Sequence, residues 1–188
     1  MGTIVGGGGV VDAYHALTTP PTPGVSLLNS WIFDSEDIDP ANNGNGQIDS
    51  GETIHLGIEL FNRSGLAENI YVSLRAHMQG AIFDDPYVEI LVPNFYVDSI
   101  GPWNQADNGF VYDEEGVIVA FEYPLVFKVS ENCPNGHVIN LELTTEFNDG
   151  WDPGNTAVYT RISRIQFDVV RGQNLPSVIS QDMELTSE

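Results

Sequence analysis

Positive charge is what this chain lacks most: its 188 residues carry 6 Lys and Arg against 27 Asp and Glu, a net charge of −21. Phosphate recognition runs on Lys and Arg, so such a surface repels nucleic acid and anionic lipid, and neither is an expected partner. Cysteine is nearly absent. Cys133 stands alone, which excludes an intrachain disulfide, and a chain of this length can be stable without one. No apolar run approaches the ~20 residues of a membrane helix. The opening MGTIVGGGG has neither the basic start nor the apolar core of a signal peptide. Catalytic signatures are missing as well. There is no GxSxG elbow, and His15, His55, His77 and His137 are scattered without zinc-like spacing. The chain is expected to be non-catalytic.

What is present is alternation. Hydrophobic residues make up 41% of the chain, enough for a core in one domain. Ile54, Leu56, Ile58 and Leu60 share one strand face; Ile70, Val72, Leu74 and Ala76 share another; Val88, Ile90 and Val92 a third. GVIVAFEYPLVFKVS supplies one or two strands, with Pro124 marking a bulge or an edge, and VINLELTTEF and VYTRISRIQFDVV follow. The clusters NRSG, DDP, NQADNG, ENCPNG and NDGWDPGN read as turns between them. Roughly seven to nine short strands with turns at such intervals predict an all-β, immunoglobulin-like antiparallel β-sandwich over residues 25–171. One short helix is expected before it, because Val10, Val11, Tyr14 and Leu17 fall at helical spacing within residues 1–17. TTPPTPG, residues 18–24, is a proline-rich linker. Residues 172–188 read as an extended tail or a linker to a further domain.

One stretch looks chemical: DIDPANNGNGQIDSGET, Asp37 to Thr53. Calcium takes six to eight oxygens, which a 12-residue loop can supply at alternate positions. With Ala41 at position one, Asn43 and Asn45 fall at three and five, and Gly46 at six. Gln47 offers its backbone carbonyl at seven, Ile48 anchors the loop at eight, Asp49 stands at nine and Glu52 at twelve. Position one lacks its acid, so Asp37 or Asp39 has to fold back into that vertex. Asparagine and glycine also make plain turns. A turn does not need six acids, however, and Asp34, Glu36, Asp37, Asp39, Asp49 and Glu52 crowd together here. The expected role of Ca2+ is structural, neutralising the acids and turning binding energy into folding energy.

Two segments resemble a known family. GGGGVVDAYHAL is similar to the last helix of a subtilisin-like serine peptidase domain, through Val11, Asp12, Ala13, Ala16 and Leu17. NGNGQIDSGETIHLGIELFNRSGLAENIYVSL resembles a module that follows that domain in secreted bacterial peptidases, through Asn45, Gly46, Asp49, Gly51, Glu52, Asn62 and Gly65. CPNGHVINLEL resembles the late strand of such a module. The resemblance implies a secreted or cell-surface accessory domain, carrying at residues 1–17 the end of its catalytic neighbour. It implies that the partner is the parent's own catalytic domain, and that protein or polysaccharide substrate is a further one. The triad itself belongs upstream.

Other features carry blander readings. Cys133 before Pro134 reads as a buried or turn thiol without a basic neighbour to activate it. Asp107, Asn108, Asp113 and Glu114, and likewise Asp149 and Asp152, could hold a second cation but read better as solvated turns. Asn62-Arg63-Ser64 fits a glycosylation sequon and also a turn. Trp31 and Trp103 are expected in the core or under loops, and Trp151 on an exposed loop. Aromatics on a calcium-bearing sandwich can stack sugar rings, so a carbohydrate-binding module is the alternative function.

Overall fold

The computed structural model describes residues 21–170, apart from positions 79, 81, 82, 153 and 155. The helix expected within residues 1–17 lies outside the described residues, as do residues 18–20 of the linker and the tail. Among the described residues there is no helix. Two sheets face each other. Sheet one is built from β1 (Val25–Phe33), β3 (Thr53–Asn62), β10 (Leu125–Val129) and β5 (Val88–Val92), in that order, with β7 (Gln105–Asp107) also beside β3. Sheet two runs β2 (Ile48–Asp49), β12 (Tyr159–Val170), β11 (Val138–Asp149), β4 (Ala67–His77) and β6 (Asn94–Ile100). A hairpin of β8 (Phe110–Tyr112) and β9 (Ile118–Phe121) pairs within itself.

The core follows the period-two pattern. Ile54, Leu56, Ile58 and Leu60 are fully buried, and Ile70, Val72, Leu74 and Ala76 meet them from the other sheet with Leu141, Leu143 and Phe147. Each such Ile, Leu, Val or Phe side chain contributes on the order of 1.5–3 kcal/mol by leaving water. On β5 the pattern holds for Val88 and Ile90, which pack on the core, but Val92 is exposed on a strand at the sheet edge. Asn69 departs further. Its φ of 52° turns β4 over, so that Ala67 and Ile70, three apart, both face inward, and the ladder to β11 slips there. The GVIVAFEYPLVFKVS run is two strands: Pro124 separates β9 in the hairpin from β10 in the sheet.

The arrangement is not wholly antiparallel. β2 pairs in parallel with the end of β12, Ile48 beside Val169 and Asp49 beside Val170. β3 changes partner along its length, since β10 covers Thr53–Leu56 and β7 covers Glu59–Phe61. Asn108 fills the gap. Buried, it accepts the Ile58 N–H at 2.9 Å and donates to the carbonyls of Leu56 and Tyr123 at 3.0 Å each. The β8–β9 hairpin then lies on the outer side of sheet one, with Phe110 edge-on to Trp31 at 4.9 Å and Phe121 edge-on to Phe33 at 4.9 Å. Gly57 makes this approach possible, because a Cβ there would fall 2.2 Å from the Phe121 ring.

Candidate metal centre

The acidic loop joins the two sheets at one end. It leaves sheet one at Asp34, just past β1, crosses to sheet two at β2, and returns to sheet one at β3. Several turns hold it. The Asp34 carbonyl accepts the Gly44 N–H at 3.0 Å, and its carboxylate accepts the Gly46 N–H at 3.0 Å. Gly46 has φ 75°, a conformation that a side chain resists. Asn42 is buried and clamps the loop's two ends together: Oδ1 accepts the Thr53 N–H at 2.9 Å, and Nδ2 donates to the carbonyls of Thr53 (2.7 Å) and Ser35 (3.2 Å). Ile48 is buried and pins the middle to the core.

Three carboxylates sit inside this frame, with Asp34 and Asp49 5% exposed and Glu52 1%. Glu52 accepts two backbone N–H groups, from Asn43 at 3.1 Å and Asp49 at 2.8 Å. Asp49 Oδ2 accepts the side-chain amides of Asn43 (2.6 Å) and Asn45 (3.1 Å), while its Oδ1 is buried and has no hydrogen-bond partner. Burial pushes the Glu52 carboxyl up to about 7, against backbone N–H groups that favour its charge, and the charges of Asp34 and Asp49 add to the rise. Burial also raises Asp34, with Asp49 adding to it and the Gly46 N–H opposing. Among the described residues, no basic side chain stands among the main causes of either shift.

The expected ligands fall into two groups. Asn43, Asn45, Asp49 and Glu52 come together. Asn43 and Asn45 also receive backbone N–H groups on Oδ1, from Asn45 (3.0 Å) and Gln47 (2.7 Å) respectively. Asp37 is exposed at an open cleft of about 450 Å³, which Asp34, Glu36 and Asn43 also line. Asp39 is engaged elsewhere: its Oδ2 accepts the Thr53 hydroxyl at 2.6 Å and lies 3.4 Å from Lys128 Nζ. The Thr53 hydroxyl, then the Ala41 N–H and Lys128, hold its carboxyl below the usual range. The acid that faces the loop from before position one is Asp34, outside the expected set. Its signal in the sequence was its place in the crowd of acids; its position at the end of a strand hid its direction.

The donors fit a hard cation in kind. All are oxygens, as calcium and magnesium require and zinc does not, and a buried carboxylate oxygen without a partner is the deficit that a cation fills. In placement they fit less fully: among the described residues, no three acidic, His or Cys side chains are gathered closely enough to hold a metal as they stand. The amides of Asn43 and Asn45 direct partial positive charge at Asp49 where an ion would direct a full one.

The remaining candidates are structural. Asp107 caps the turn into the hairpin through the N–H groups of Gly109 (2.8 Å) and Phe110 (2.9 Å). Asp113 accepts those of Glu115 (3.0 Å) and Val117 (2.8 Å), and Asp149 that of Trp151 (3.0 Å). Asn62 of the sequon is fully buried and donates to the carbonyls of Gly65 (2.7 Å) and Ile100 (2.8 Å), so a glycan has no access to it in the folded chain. His137 pairs with Asp85 at 2.7 Å. Cys133 is buried, and burial raises its thiol, with the Asp85 charge adding. Trp31 is covered by Phe110, but Trp103, expected inside, is 72% exposed, more than Trp151 at 42%. Its own φ of 61° sets it in a turn beside Phe61.

No family model and no curated protein matches this chain. Among solved structures, it is similar to the ASH/PapD-like domain of human CEP192 at 11% identity and a TM-score of 0.41, over 83% of this chain and 92% of that one. It is similar to a family 123 glycoside hydrolase from Clostridium perfringens, which acts on glycolipid glycans, at 12% identity and a TM-score of 0.39, over 80% of this chain and 27% of that one. Spo0M, a sporulation control protein from Bacillus subtilis, aligns at 9% identity and a TM-score of 0.32, over 81% and 51%.

Proposed function

We propose that this chain is a non-catalytic, calcium-stabilised accessory domain of a secreted subtilisin-like serine peptidase, immunoglobulin-like in its sandwich. It supports the catalytic domain or docks on substrate or cell surface. The peptidase context rests on the resemblance of Val11–Leu17 and of the Asn45–Gly65 region. The calcium reading rests on one observation, the unpartnered Asp49 Oδ1 buried beside two further buried carboxylates. Asp49 and Glu52 would hold the ion, with the Asn43 and Asn45 side-chain oxygens and the Gln47 carbonyl as neutral donors. The ion would supply these buried carboxylates with positive charge, which the Arg75–Asp84, Lys128–Asp39 and Arg164–Glu142 ion pairs do not bring to them.

Isolated extracellular sites bind calcium at about 10⁻⁴–10⁻³ M. One millimolar calcium, about one to ten times that dissociation constant, should then stabilise the fold by about 0.4–1.4 kcal/mol, raising the melting midpoint by about 1–6 °C in a chain of this size. Calorimetric melting with calcium, with magnesium and with chelator tests this. An identical midpoint in all three would remove the cation from the reading.

A carbohydrate-binding function is the second reading. Tyr71 and Tyr96 form a cross-strand pair on the outer face of sheet two, both partly exposed, and aromatic faces of this kind can stack on sugar rings. Retarded migration through a gel containing a neutral polysaccharide, lost on Tyr71→Ala and Tyr96→Ala, would favour it over the peptidase reading.

A further inference from the structure

We infer that two copies of this chain pair through β1, edge to edge and antiparallel, in a symmetric dimer. Neither the cation nor the peptidase context bears on this pairing. β1 ends sheet one, and among the described residues its only strand partner is β3. Its other side therefore presents a row of backbone N–H and C=O groups, a template on which a further strand can build.

The other edges of the two sheets are guarded. β5 is five residues long, carries Glu89 and runs between Pro86 and Pro93. β6 follows Pro93 and carries Asp98. β7 is three residues long and carries Asp107, and β2 is two residues long and carries Asp49. β1 instead spans nine residues, VSLLNSWIF, with neither a charge nor a proline. It bulges between Leu27 and Asn29, and from Asn29 to Phe33 its register with β3 is regular. Both faces of that regular stretch are pinned. Ile32 packs on the core, while Trp31 and Phe33 lie against Phe110 and Phe121. A strand held in this way has little freedom left to lose on pairing.

Charge selects a second copy as the occupant. At −21 each, two copies repel wherever acids meet acids, and an uncharged strand is where they can touch at least cost. The surroundings of β1 also differ in sign from end to end. Beside its start stands exposed Arg63, whose N–H donates to the Gly24 carbonyl at 3.1 Å. Just past its end come Glu36 and Asp37, both exposed. An antiparallel two-fold sets the acidic end of each copy toward the Arg63 end of the other, and does so twice. A parallel pairing would set acids beside acids. Contact through one strand is small, so the dimer is weak, with a dissociation constant on the order of 10⁻⁵–10⁻⁴ M.

Sedimentation velocity and amide hydrogen exchange on the full chain test this, at concentrations from about 10⁻⁶ to 10⁻³ M. The sedimenting mass should rise toward that of two chains, and exchange over residues 29–33 should slow about fivefold across the range as mass action fills the dimer. Arg63→Glu and Glu36→Lys, both at exposed positions, should each weaken the dimer about tenfold, because each change acts twice and turns attraction into repulsion. The chain carrying both changes should regain most of the loss. A chain that stays monomeric throughout overturns the inference. Exchange over residues 29–33 that is slow at every concentration overturns it too, since the edge is then covered within one chain. A dimer that both single variants leave unchanged, or that the double variant fails to restore, pairs in another way and also overturns it.

Discussion

Two acidic excursions leave sheet one, and their carboxylates live differently. In the segment from β7 through the β8–β9 hairpin, Asp107 and Asp113 each accept two backbone N–H groups at a turn. Asp113, Glu114 and Glu115 at its tip are exposed to water. In the loop between β1 and β3, three carboxylates are withdrawn from water and one oxygen of Asp49 receives nothing. The density of acids is similar, and what separates the two is the accounting of partners. Exposed, capped acids shape a turn at little cost. Buried acids left with an unpartnered oxygen carry a cost that a positive partner would offset.

The difference can be broken hardest from the hairpin side, through Asn108. Its side chain satisfies Ile58 N–H and the carbonyls of Leu56 and Tyr123 in the gap between two partner strands. Asn108→Ala leaves all three buried, so a loss of about 3–4 kcal/mol is expected in urea unfolding. The loss should be equal with calcium and with chelator. A loss that calcium reverses would mean that the two excursions are coupled and do not differ in kind.

Next in size is the response of the chelated protein to pH. Glu52 has a folded pKa raised from 4.5 to about 7. The folded state thus prefers the neutral acid, and the stability this confers is complete below pH 4.5 and lost as pH rises through about 7. At about 1.4 kcal/mol per unit, chelated protein should lose up to about 3 kcal/mol between pH 5 and 8. Saturating calcium should flatten that fall by holding the carboxylate ionised. Urea midpoints across this range decide it. The same fall with and without calcium would separate Glu52 from the ion.

The alternation was readable because burial on one face of a strand is a local property of sequence: Ile54 to Leu60 and Ile70 to Ala76 point inward as their spacing requires. Glycines needing positive φ were readable for the same reason, at Gly44, Gly46 and Gly51. What escaped is set by distant partners. β6 was hidden because its inward residues, Phe95, Val97 and Ile100, break step opposite Asn69. β7 looked like a turn cluster, NQADNG, until β3 left half an edge for it. Asn62 and Asn108 bond to residues 38 to 52 positions away, a distance over which composition carries no signal. Asp34 belongs with them, since its carboxylate reaches Gly46 across 12 positions.

A smaller effect, with a sign that is easier to mistake, is expected at Asp49. Asp49→Asn keeps the shape and keeps an oxygen for the amides of Asn43 and Asn45, but removes the buried charge. In chelator the variant should be as stable as the wild type or gain about 1 kcal/mol, because a neutral amide costs less to bury than an unpaired carboxylate. In calcium it should be the less stable of the two, since it has lost its share of the ion. Paired melts in the two buffers show whether the order of stability inverts. A variant that is weaker in both would make Asp49 an ordinary structural acid.

Asp113→Ala supplies the opposite limit. This acid caps the hairpin tip through Glu115 and Val117, a role worth less than about 1 kcal/mol at an exposed turn. The β8–β9 hairpin is held instead by Phe110 and Phe121 on Trp31, Phe33 and the bare backbone of Gly57, contacts that the variant does not touch. The melt should therefore move by no more than a few degrees, and by the same amount with calcium and with chelator. If removing this exposed acid instead diminished the calcium increment, long-range negative charge rather than a built site would be drawing the ion, and rising salt should then erase the increment in the wild type as well. A site walled by Asp34, Asp49 and Glu52 should keep most of its calcium increment at an ionic strength that silences surface charge, because screening acts weakly on groups withdrawn from water.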